Sequence, residues 1–265
     1  MGRCGRRPVG HGIMNFSKTH LLLIPSYNTG EKLFETVAAA RAQWAPVWVV
    51  MDGSNDGTTE RLQAIAAGQA DLRVLVLPEN RGKGSAVLHG IQMAEDEGFS
   101  HVLTMDADGQ HPAWLIPEFM RVSAENPEAL VLGKPVFDAS VPTERLHGRK
   151  IANFWTHVET LWAGIGDCLY GFRVYPVTPL RKIMESHRWM RRFDFDPEAA
   201  VRLVWAGHRP VNIDAPVKYF RTDEGGVSHF NYLRDNILLT GMYFRLFAGF
   251  LRRLPLLVWR RLSGA

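Results

Sequence analysis

The chain has 265 residues, of which 46% are hydrophobic and 22% are charged, so it can bury a sizeable core. Its net charge of +4 is uneven: residues 1–17 carry +3, residues 18–229 carry −4 and residues 230–265 carry +5. An acidic body with basic ends is not typical of a domain that wraps nucleic acid, and we expect no nucleic-acid partner. No run of about eighteen uncharged apolar residues predicts a transmembrane helix.

Two cysteines, Cys4 and Cys168, lie far apart in the chain. This spacing argues against a disulfide framework or a zinc site and fits a reducing compartment. Residues 1–17 contain four glycines, no hydrophobic periodicity and no apolar core of a signal peptide. We therefore predict a disordered basic tail over residues 1–17, a main domain over residues 18–229 and a separate basic segment over residues 230–265.

A regular alternation of strands and helices is predicted from residue 19 onwards. Apolar runs begin at intervals of 26 to 28 residues, at Leu21, Val47, Val74, Val102 and Leu130. Helix-like stretches lie between them, at Glu31–Ala42, Thr58–Ala67 and Gly84–Glu97. Repeats of this size predict right-handed βαβ units and an α/β fold with a mainly parallel sheet. In such sheets ligands bind beyond the carboxyl ends of the strands, where the polar loops of this chain fall.

The first two of these loops contain candidate nucleotide contacts. In the loop from Pro25 to Gly30, Tyr27 can stack on a nucleobase, or it can be a half-buried turn residue. Asp52 ends the second strand, where its carboxylate can accept from a base N–H or a ribose hydroxyl. Asp56 is more typical of a cap on the following helix. The alternative for both aspartates is a structural role in the turn.

The loop after the third strand, residues 80–85, opens a helix with two glycines and two cations. It lacks the spacing of a Walker A loop, so it does not predict a P-loop ATPase. The amino ends of helices attract phosphate, and Lys83 can add a positive charge there. A solvated basic turn is the alternative.

The fourth loop places two carboxylates one residue apart, because Asp106 and Asp108 directly follow the apolar residues 102–105. Gly109 and Pro112 prevent the strand from continuing. Two anions this close repel each other unless a cation lies between them. Mg²⁺ and Mn²⁺ take oxygen ligands and commonly use one or two carboxylates plus substrate phosphates. We interpret the loop as a metal–diphosphate site, with an Asx turn as the alternative.

After this loop the alternation of strands and helices ends. A long helix is predicted over Thr143–Ala163, carrying Arg145, Arg149 and Lys150. Asp196 and Pro197 suit the start of a further helix, and a strand is predicted over Val211–Tyr219. Asp196 is either the cap of that helix or, at the mouth of the same sheet, a general base.

Seven fragments in order resemble the inverting family 2 glycosyltransferases, and most closely the dolichyl-phosphate mannose synthase-like enzymes. They are Ile-Pro-Ser-Tyr-Asn (24–28), Val-Val-Met-Asp-Gly-Ser-Asn-Asp-Gly-Thr (49–58), Gly-Lys-Gly (82–84), Asp-Ala-Asp-Gly-Gln-His-Pro (106–112), Asp167 with Gly-Phe-Arg (171–173), Phe-Asp-Pro-Glu (195–198) and residues 221–228. The resemblance implies a GT-A (Rossmann-like) fold over residues 18–229, a nucleotide-diphosphate sugar donor and a divalent metal, Mg²⁺ or Mn²⁺.

The resemblance also assigns roles to residues of this chain. It implies metal ligands at Asp106, Asp108 and Gln110, and nucleotide contacts at Pro25, Tyr27 and Asp52. It implies phosphate contacts at Arg149, Arg173 and Arg221, whose guanidinium forks suit phosphate, with Lys83 beside them. For a hydroxyl acceptor the candidate base is Asp196, with Glu198 second. The family usually has an acid where Thr29 stands and an aspartate where Met51 stands, so the nucleobase is left open.

The sequence therefore predicts a metal-dependent, inverting transfer of a sugar to a lipid-linked acceptor. That acceptor is a polyprenyl phosphate or a glycolipid, because residues 226–236 also resemble a subgroup from aryl-polyene-type pathways. A nucleotidyltransferase is one alternative, although the loop after the first strand lacks its glycine-rich basic signature. A catalytically inactive, membrane-associated protein that binds nucleotide sugars is the other.

The carboxyl-terminal segment has two apolar runs, at Ile237–Phe244 and Leu246–Leu251, separated and followed by arginines. Pro255 is predicted to break the helix that follows. The pattern is too charged to span a bilayer, but it suits an amphipathic helix at a membrane surface, with arginines at the headgroups. A core helix packed on the sheet is the alternative. We expect a peripheral protein on the cytoplasmic face of the membrane.

Overall fold

A computed structural model of the chain describes residues 16–137, 143–217 and 232–263. The strands are β1 (His20–Ser26), β2 (Val47–Asp52), β3 (Leu72–Leu77), β4 (His101–Thr104), β5 (Leu130–Val136), β6 (Arg173–Pro176) and β7 (Pro210–Pro216). The helices are α1 (Lys32–Arg41), α2 (Thr58–Ala66), α3 (Lys83–Asp96), α4 (Ile116–Glu125), α5 (Thr143–Glu159), α6 (Val177–Glu185), α7 (Phe195–Ala206) and α8 (Tyr232–Ser263). The predicted disordered tail falls almost wholly outside the described residues, as does the predicted boundary at residue 230.

The strands form one seven-stranded sheet in the order β3-β2-β1-β4-β6-β5-β7. Neighbouring pairs are parallel except that β6 runs antiparallel to β4 and β5. The predicted α/β fold with a mainly parallel sheet is therefore confirmed. Strand β6 was not predicted, because it has only four residues and begins with Arg173, a residue type that is rarely buried.

The sheet separates two hydrophobic layers. Leu21 and Leu23 of β1 face α3 and α7 on one side, whereas Leu22 and Ile24 face α1 and α4 on the other. Successive side chains of a strand point to opposite faces, so a strand covered by helices on both sides must be apolar throughout. This burial fixes where β1, β2 and β4 end, and it brings the loops that follow them to one edge of the sheet.

Two predicted elements end earlier in the structure than the sequence suggests. The helix predicted over Thr143–Ala163 ends at Glu159, because Leu161 and Trp162 take positive φ values of 49° and 54° that an α-helix does not allow. The strand predicted to reach Tyr219 ends at Pro216, and Tyr219 itself lies outside the described residues. Helices α4 and α6 were not predicted.

The carboxyl-terminal segment is one 32-residue helix, α8, which continues through Pro255. The predicted break was therefore wrong. Met242, Leu246 and Phe250 of α8 pack against Val201 and Trp205 of α7, so the helix covers other helices and not the sheet. Burial of this face offsets the missing backbone hydrogen bond at the proline. Within the described parts of the chain, no helix is long and apolar enough to cross a membrane.

Two stacked histidines lie at the edge of the sheet opposite the polar loops. The rings of His20 and His101 are 4.6 Å apart and nearly parallel, and both residues are buried. Burial, and secondarily the charge of His101, lowers the pKa of His20 to about 4. His20 therefore stays neutral in the folded protein near pH 6.5, where the same residue takes up a proton in the unfolded chain.

We expect stability to fall as the pH drops from 7 to 5, because the unfolded state binds more protons in that range. We expect His20 to account for about 1 kcal/mol of the lost unfolding free energy, because partial contact with solvent screens its charge. Urea unfolding of wild type and His20→Asn at both pH values measures the difference. An equal pH dependence in the two proteins would contradict the prediction.

Candidate active site

The loops at the carboxyl edge of the sheet surround one cavity of about 1270 Å³. Nine of the twelve residues predicted for the site line it: Pro25, Tyr27, Asp52, Lys83, Asp106, Asp108, Gln110, Arg149 and Asp196. The parallel-strand rule accounts for this convergence, because β1, β2, β3 and β4 all end at this edge. Arg221 falls in residues 218–231, outside the described residues.

At the centre of the charged part of the cavity, Lys83 joins two carboxylates. Its Nζ lies 2.6 Å from Asp106 Oδ1 and 2.7 Å from Asp196 Oδ2. Burial alone would lower the pKa of Lys83, but the two carboxylates outweigh it and raise that pKa. Gly171 makes room for the cluster, since a Cβ there would lie 2.5 Å from Lys83 Nζ. The sequence predicted a cation here but not that it would already be paired.

A histidine from the same loop orients Asp106. The backbone N–H of Asp106 donates to His111 Nδ1 at 3.1 Å, so the ring proton of a neutral His111 lies on Nε2. That Nε2 is 3.6 Å from Asp106 Oδ2. Burial lowers the pKa of His111 to about 4, which keeps the ring neutral at pH 7. Lys83 thus holds the carboxylate of Asp106, and His111 holds its backbone.

Asp108 carries the second carboxylate of the loop, and its Oδ1 accepts the backbone N–H of Gln110 at 3.0 Å. Burial and the neighbouring charge of Asp106 raise its pKa to about 6. Two facing carboxylates and an amide oxygen are a donor set that suits Mg²⁺ or Mn²⁺. In the described residues no three His, Cys, Asp or Glu side chains form a metal site, so substrate oxygens would complete the coordination. Asp106, Asp108 and Gln110 fit that requirement.

The nucleotide-side residues line the cavity, and Asp52 also shapes it. Its carboxylate accepts the backbone N–H groups of Arg81 at 2.9 Å and of Gly82 at 2.7 Å. These bonds fix the loop that precedes Lys83. Asp56 contacts the first turn of α2, accepting the backbone N–H of Thr58 at 3.2 Å. Contact of Asp52 with a base or ribose stays a prediction.

The two candidate bases have different surroundings. Asp196 is 5% exposed and lines the cavity, and its Oδ1 has no hydrogen-bond partner among the described residues. Glu198 is fully buried outside the lining, where it accepts from Arg202 at 2.7 Å and from Arg245 at 3.0 Å. Of the two candidate bases Asp196 is the one that faces the cavity, whereas Glu198 joins α7 and α8 through arginines, and a catalytic role for either stays a prediction.

The predicted arginines also differ in their surroundings. Arg149 lines the cavity and donates to Asp167 at 2.5 Å. Arg173 is fully buried, and its guanidinium donates to the carbonyl oxygens of Tyr170 at 2.7 Å and Asp196 at 2.5 Å. Arg173 is therefore placed to hold the backbone around Asp196, and its contact with phosphate stays a prediction.

Several residues that line the cavity were not predicted. Arg192 and Arg234 add cations, and Arg192 donates to the neutral side-chain oxygen of Asn80 at 3.3 Å. The apolar part of the lining comes mainly from α5 and α8: Leu146, Ile151, Trp155, Leu239, Phe244 and Phe247. The adjacent arginines at positions 191 and 192, just before a predicted helix, were the available signal for Arg192.

Comparison with known proteins agrees with this architecture. The sequence model of glycosyl transferase family 2 matches residues 22–184. The chain is 27% identical over 219 residues to undecaprenyl-phosphate mannosyltransferase of Micrococcus luteus, covering 77% of this chain and 85% of that protein. It is 30% identical to polyprenol monophosphomannose synthase of Mycolicibacterium smegmatis, covering 77% and 78%. A dolichyl-phosphate β-glucosyltransferase of Trichomonas vaginalis is 31% identical, and the match spans 74% of this chain but only 62% of that longer protein.

Solved structures share the fold at low identity. Glucosyl-3-phosphoglycerate synthase from Mycobacterium tuberculosis, in complex with Mn²⁺, UDP-glucose and phosphoglyceric acid, has a TM-score of 0.58 at 16% identity, covering 89% of this chain and 79% of that one. S. aureus TarS in complex with UDP-GlcNAc has a TM-score of 0.55, covering 89% and 72%. The family match spans more than half of the chain, and the resemblance noted from the seven fragments is confirmed. The chain belongs to glycosyl transferase family 2 and is a glycosyltransferase.

Proposed function

We propose that this glycosyltransferase moves a sugar from a nucleotide-diphosphate sugar to a polyprenyl phosphate, in a metal-dependent reaction that inverts the anomeric carbon. The observation that carries the proposal is the composition of the cavity. One continuous space joins a charged cluster at the strand ends to an apolar region between α5 and α8. A phosphate-bearing lipid and a nucleotide sugar need these two environments side by side.

The charged part suits the diphosphate of the donor. Asp106, Asp108 and Gln110 would hold Mg²⁺ or Mn²⁺, which when bound neutralises charge on the departing diphosphate. Arg149 and Arg192 face the same space and can bind phosphate oxygens through their guanidinium forks. Pro25 and Tyr27 line the side towards β1, where a base can stack.

The apolar part suits an isoprenoid chain. Trp155 of α5 and Phe244 and Phe247 of α8 line it, and Phe244 is 73% exposed. Large exposed apolar side chains close together mark an interaction site. The relatives named for transfer to undecaprenyl phosphate and polyprenol support a lipid phosphate as the acceptor of this chain also.

The same helices are suited to lie on a membrane surface. Several large apolar side chains of α5 and α8 are exposed: Ile151, Phe154, Leu233, Ile237, Leu251, Trp259 and Leu262. Arg252, Arg253 and Arg261 are exposed on the same carboxyl-terminal helix. Each cation near an anionic leaflet contributes about 1 kcal/mol to binding. A lipid acceptor would then reach the cavity without leaving the bilayer.

In the transfer step an acceptor oxygen attacks the anomeric carbon opposite the bond to the diphosphate. That bond breaks, and its electron pair leaves with the nucleoside diphosphate. A phosphate acceptor is already ionised at neutral pH, so no side chain has to remove a proton. Asp196 then acts mainly by holding Lys83 in place, and Lys83 in turn holds Asp106.

The direct test is incorporation of sugar into lipid. The protein is incubated with Mn²⁺, undecaprenyl phosphate and a panel of radiolabelled UDP- and GDP-sugars, and the lipid phase is extracted. We expect label from one donor in the lipid phase, and a glycosyl phosphate that mild acid releases. Label that appears only in water-soluble products would contradict the proposed acceptor.

Replacing Asp196 with asparagine separates a phosphate acceptor from a hydroxyl acceptor. We expect kcat to fall by no more than about tenfold, because loss of a required base costs about 10²–10⁴-fold and no base is required here. The rate of lipid labelling at saturating donor measures the effect. A fall of about 10³-fold with unchanged donor affinity would instead assign Asp196 as the base of a hydroxyl acceptor.

A further inference from the structure

Arg245 of the carboxyl-terminal helix forms ion pairs with carboxylates of α7 and of the loop before it. Its Nη2 lies 3.0 Å from Glu198 Oε2 and 3.8 Å from Asp194 Oδ2, and both carboxylates are buried. Its guanidinium also lies 4.3 Å from the centre of the Trp189 ring. Arg245 therefore contacts both α7 and the loop before it, residues 186–194.

The carboxylate of Asp194 connects Arg245 to the backbone of the loop. Its Oδ2 accepts the N–H of Met190 at 2.9 Å, and its Oδ1 accepts the N–H of Arg192 at 3.0 Å. Met190 is buried with a φ of 61°, a conformation that costs free energy for a residue with a side chain and persists only when its surroundings hold it. The carboxylate of Asp194 is the group that holds it.

The loop in turn lies against the start of α3. The carbonyl oxygen of Arg191 accepts the N–H of Ser85 at 3.1 Å. A Cβ at Gly82 would lie 2.5 Å from the Arg191 carbonyl and 2.5 Å from the side chain of Arg192, so the loop and the residue before α3 are in close contact. The loop therefore sets the position of Arg192, which faces the cavity, relative to Lys83 at the first position of α3.

Arg192 is the lining cation best placed to accept a new anion. Lys83 and Arg149 are paired with aspartates. Among the described residues Arg192 has only the neutral oxygen of Asn80 as a side-chain hydrogen-bond partner. Its guanidinium carries charge that the donor phosphate can neutralise.

We propose that Arg245 of α8 is a positioning residue for donor binding, acting through Asp194 and the 186–194 loop on Arg192. This inference rests on the proposed function, because it takes the donor to be a nucleoside diphosphate. A helix suited to contact the membrane would then also complete the donor site. Removal of Arg245 takes a cation from beside the buried carboxylate of Asp194, while Glu198 keeps its pair with Arg202, and it releases the loop.

The test is a double-mutant cycle on nucleotide affinity. UDP and GDP are titrated into the full-length protein in Mn²⁺ by calorimetry, and the nucleotide that wild type binds is used throughout. We expect Arg192→Met and Arg245→Met each to weaken binding about tenfold, and the double variant to bind no more weakly than Arg192→Met alone. Losses that multiply in the double variant, or wild-type affinity in a folded Arg245→Met, would overturn the inference.

Arg181→Met is the matched control, since Arg181 also joins two helices through carboxylates but lies outside the cavity lining. We expect it to bind nucleotide normally. If Arg245→Met does not fold, Arg245→Lys keeps the charge and loses the fork. It should bind with intermediate affinity, and wild-type affinity would count against the inference.

Hydrogen exchange tests the connection without any nucleotide. The backbone amides of Met190 and Arg192 should exchange faster in Arg245→Met than in wild type, while those of α1 stay unchanged. Equal exchange in the loop would overturn the inference. If the wild-type protein binds neither UDP nor GDP and the loop still exchanges faster in Arg245→Met, the proposed donor is contradicted. The effect of Arg245 on the position of the loop is then still supported.

Discussion

Replacing Asp108 with alanine is expected to reduce sugar transfer by roughly 10³-fold while leaving the fold intact. Asp108 and Asp106 are the two carboxylates of one loop that line the cavity, and the proposed metal site uses both. In the metal-free protein its charge is opposed by that of Asp106, which together with burial raises its pKa to about 6. Its removal should therefore not destabilise the protein in chelator.

The measurements are lipid labelling, Mn²⁺ affinity by calorimetry and thermal unfolding in EDTA. Asp214→Ala is the control, because Asp214 is an exposed aspartate 3.5 Å from Lys134 on another part of the sheet. The control should keep its activity and its Mn²⁺ affinity. If Asp108→Ala transfers sugar at the wild-type rate in chelator-treated buffer, Asp108 has no metal role.

The placement of the site follows from patterns that are local in sequence. The regular spacing of apolar runs predicts parallel strands, and parallel strands bring Asp52 and Asp106 to one edge. Nothing in those patterns distinguishes a lysine that binds phosphate from one already bound to two aspartates. Lys83 and Asp196 are 113 residues apart, and only the packing of α7 against α3 makes them neighbours.

The burial of Arg173 and the helix through Pro255 could not be predicted from local sequence patterns. The resemblance implies a phosphate contact for Arg173, and a fully buried arginine is rare enough that its burial was not predicted. Its guanidinium is held by the carbonyl oxygen of Tyr170, three residues earlier, and by that of Asp196 in the first turn of α7, an arrangement that the sequence pattern does not report. Pro255 costs a helix about 3 kcal/mol, and a break is the normal expectation. Burial of Leu257, two residues further along the same helix, shows that tertiary packing outweighs this cost.

The largest effect on stability is expected from Lys83→Met. The ammonium group lies within 2.7 Å of two carboxylates in a mostly buried cluster. Removing one partner of a buried ion cluster leaves uncompensated charge and costs about 3–5 kcal/mol. Transfer should also fall by at least roughly 10²-fold, because Asp106 loses the group that orients it.

The pH dependence makes this prediction specific. In wild type, burial opposes ionisation of Asp106 and the charge of Lys83 favours it, and the net effect lowers the pKa of Asp106. The cluster therefore stabilises the fold above about pH 4, and this stabilisation is lost as the pH falls. In Lys83→Met no cation lies between the two carboxylates, so their ionised forms repel each other and stability falls as pH increases. The two unfolding curves should therefore converge near pH 4 and separate at pH 7, as measured in chelator.

Lys134→Met is the matched control, because Lys134 lies 3.5 Å from Asp214 in an exposed ion pair. Such a pair contributes at most about 1 kcal/mol, and its loss should change stability equally little at both pH values. A Lys83→Met protein as stable as wild type from pH 5 to pH 8 would mean that water already compensates the two carboxylates. The donor site would then not depend on a preorganised cluster, and Lys83 would be free to bind phosphate directly.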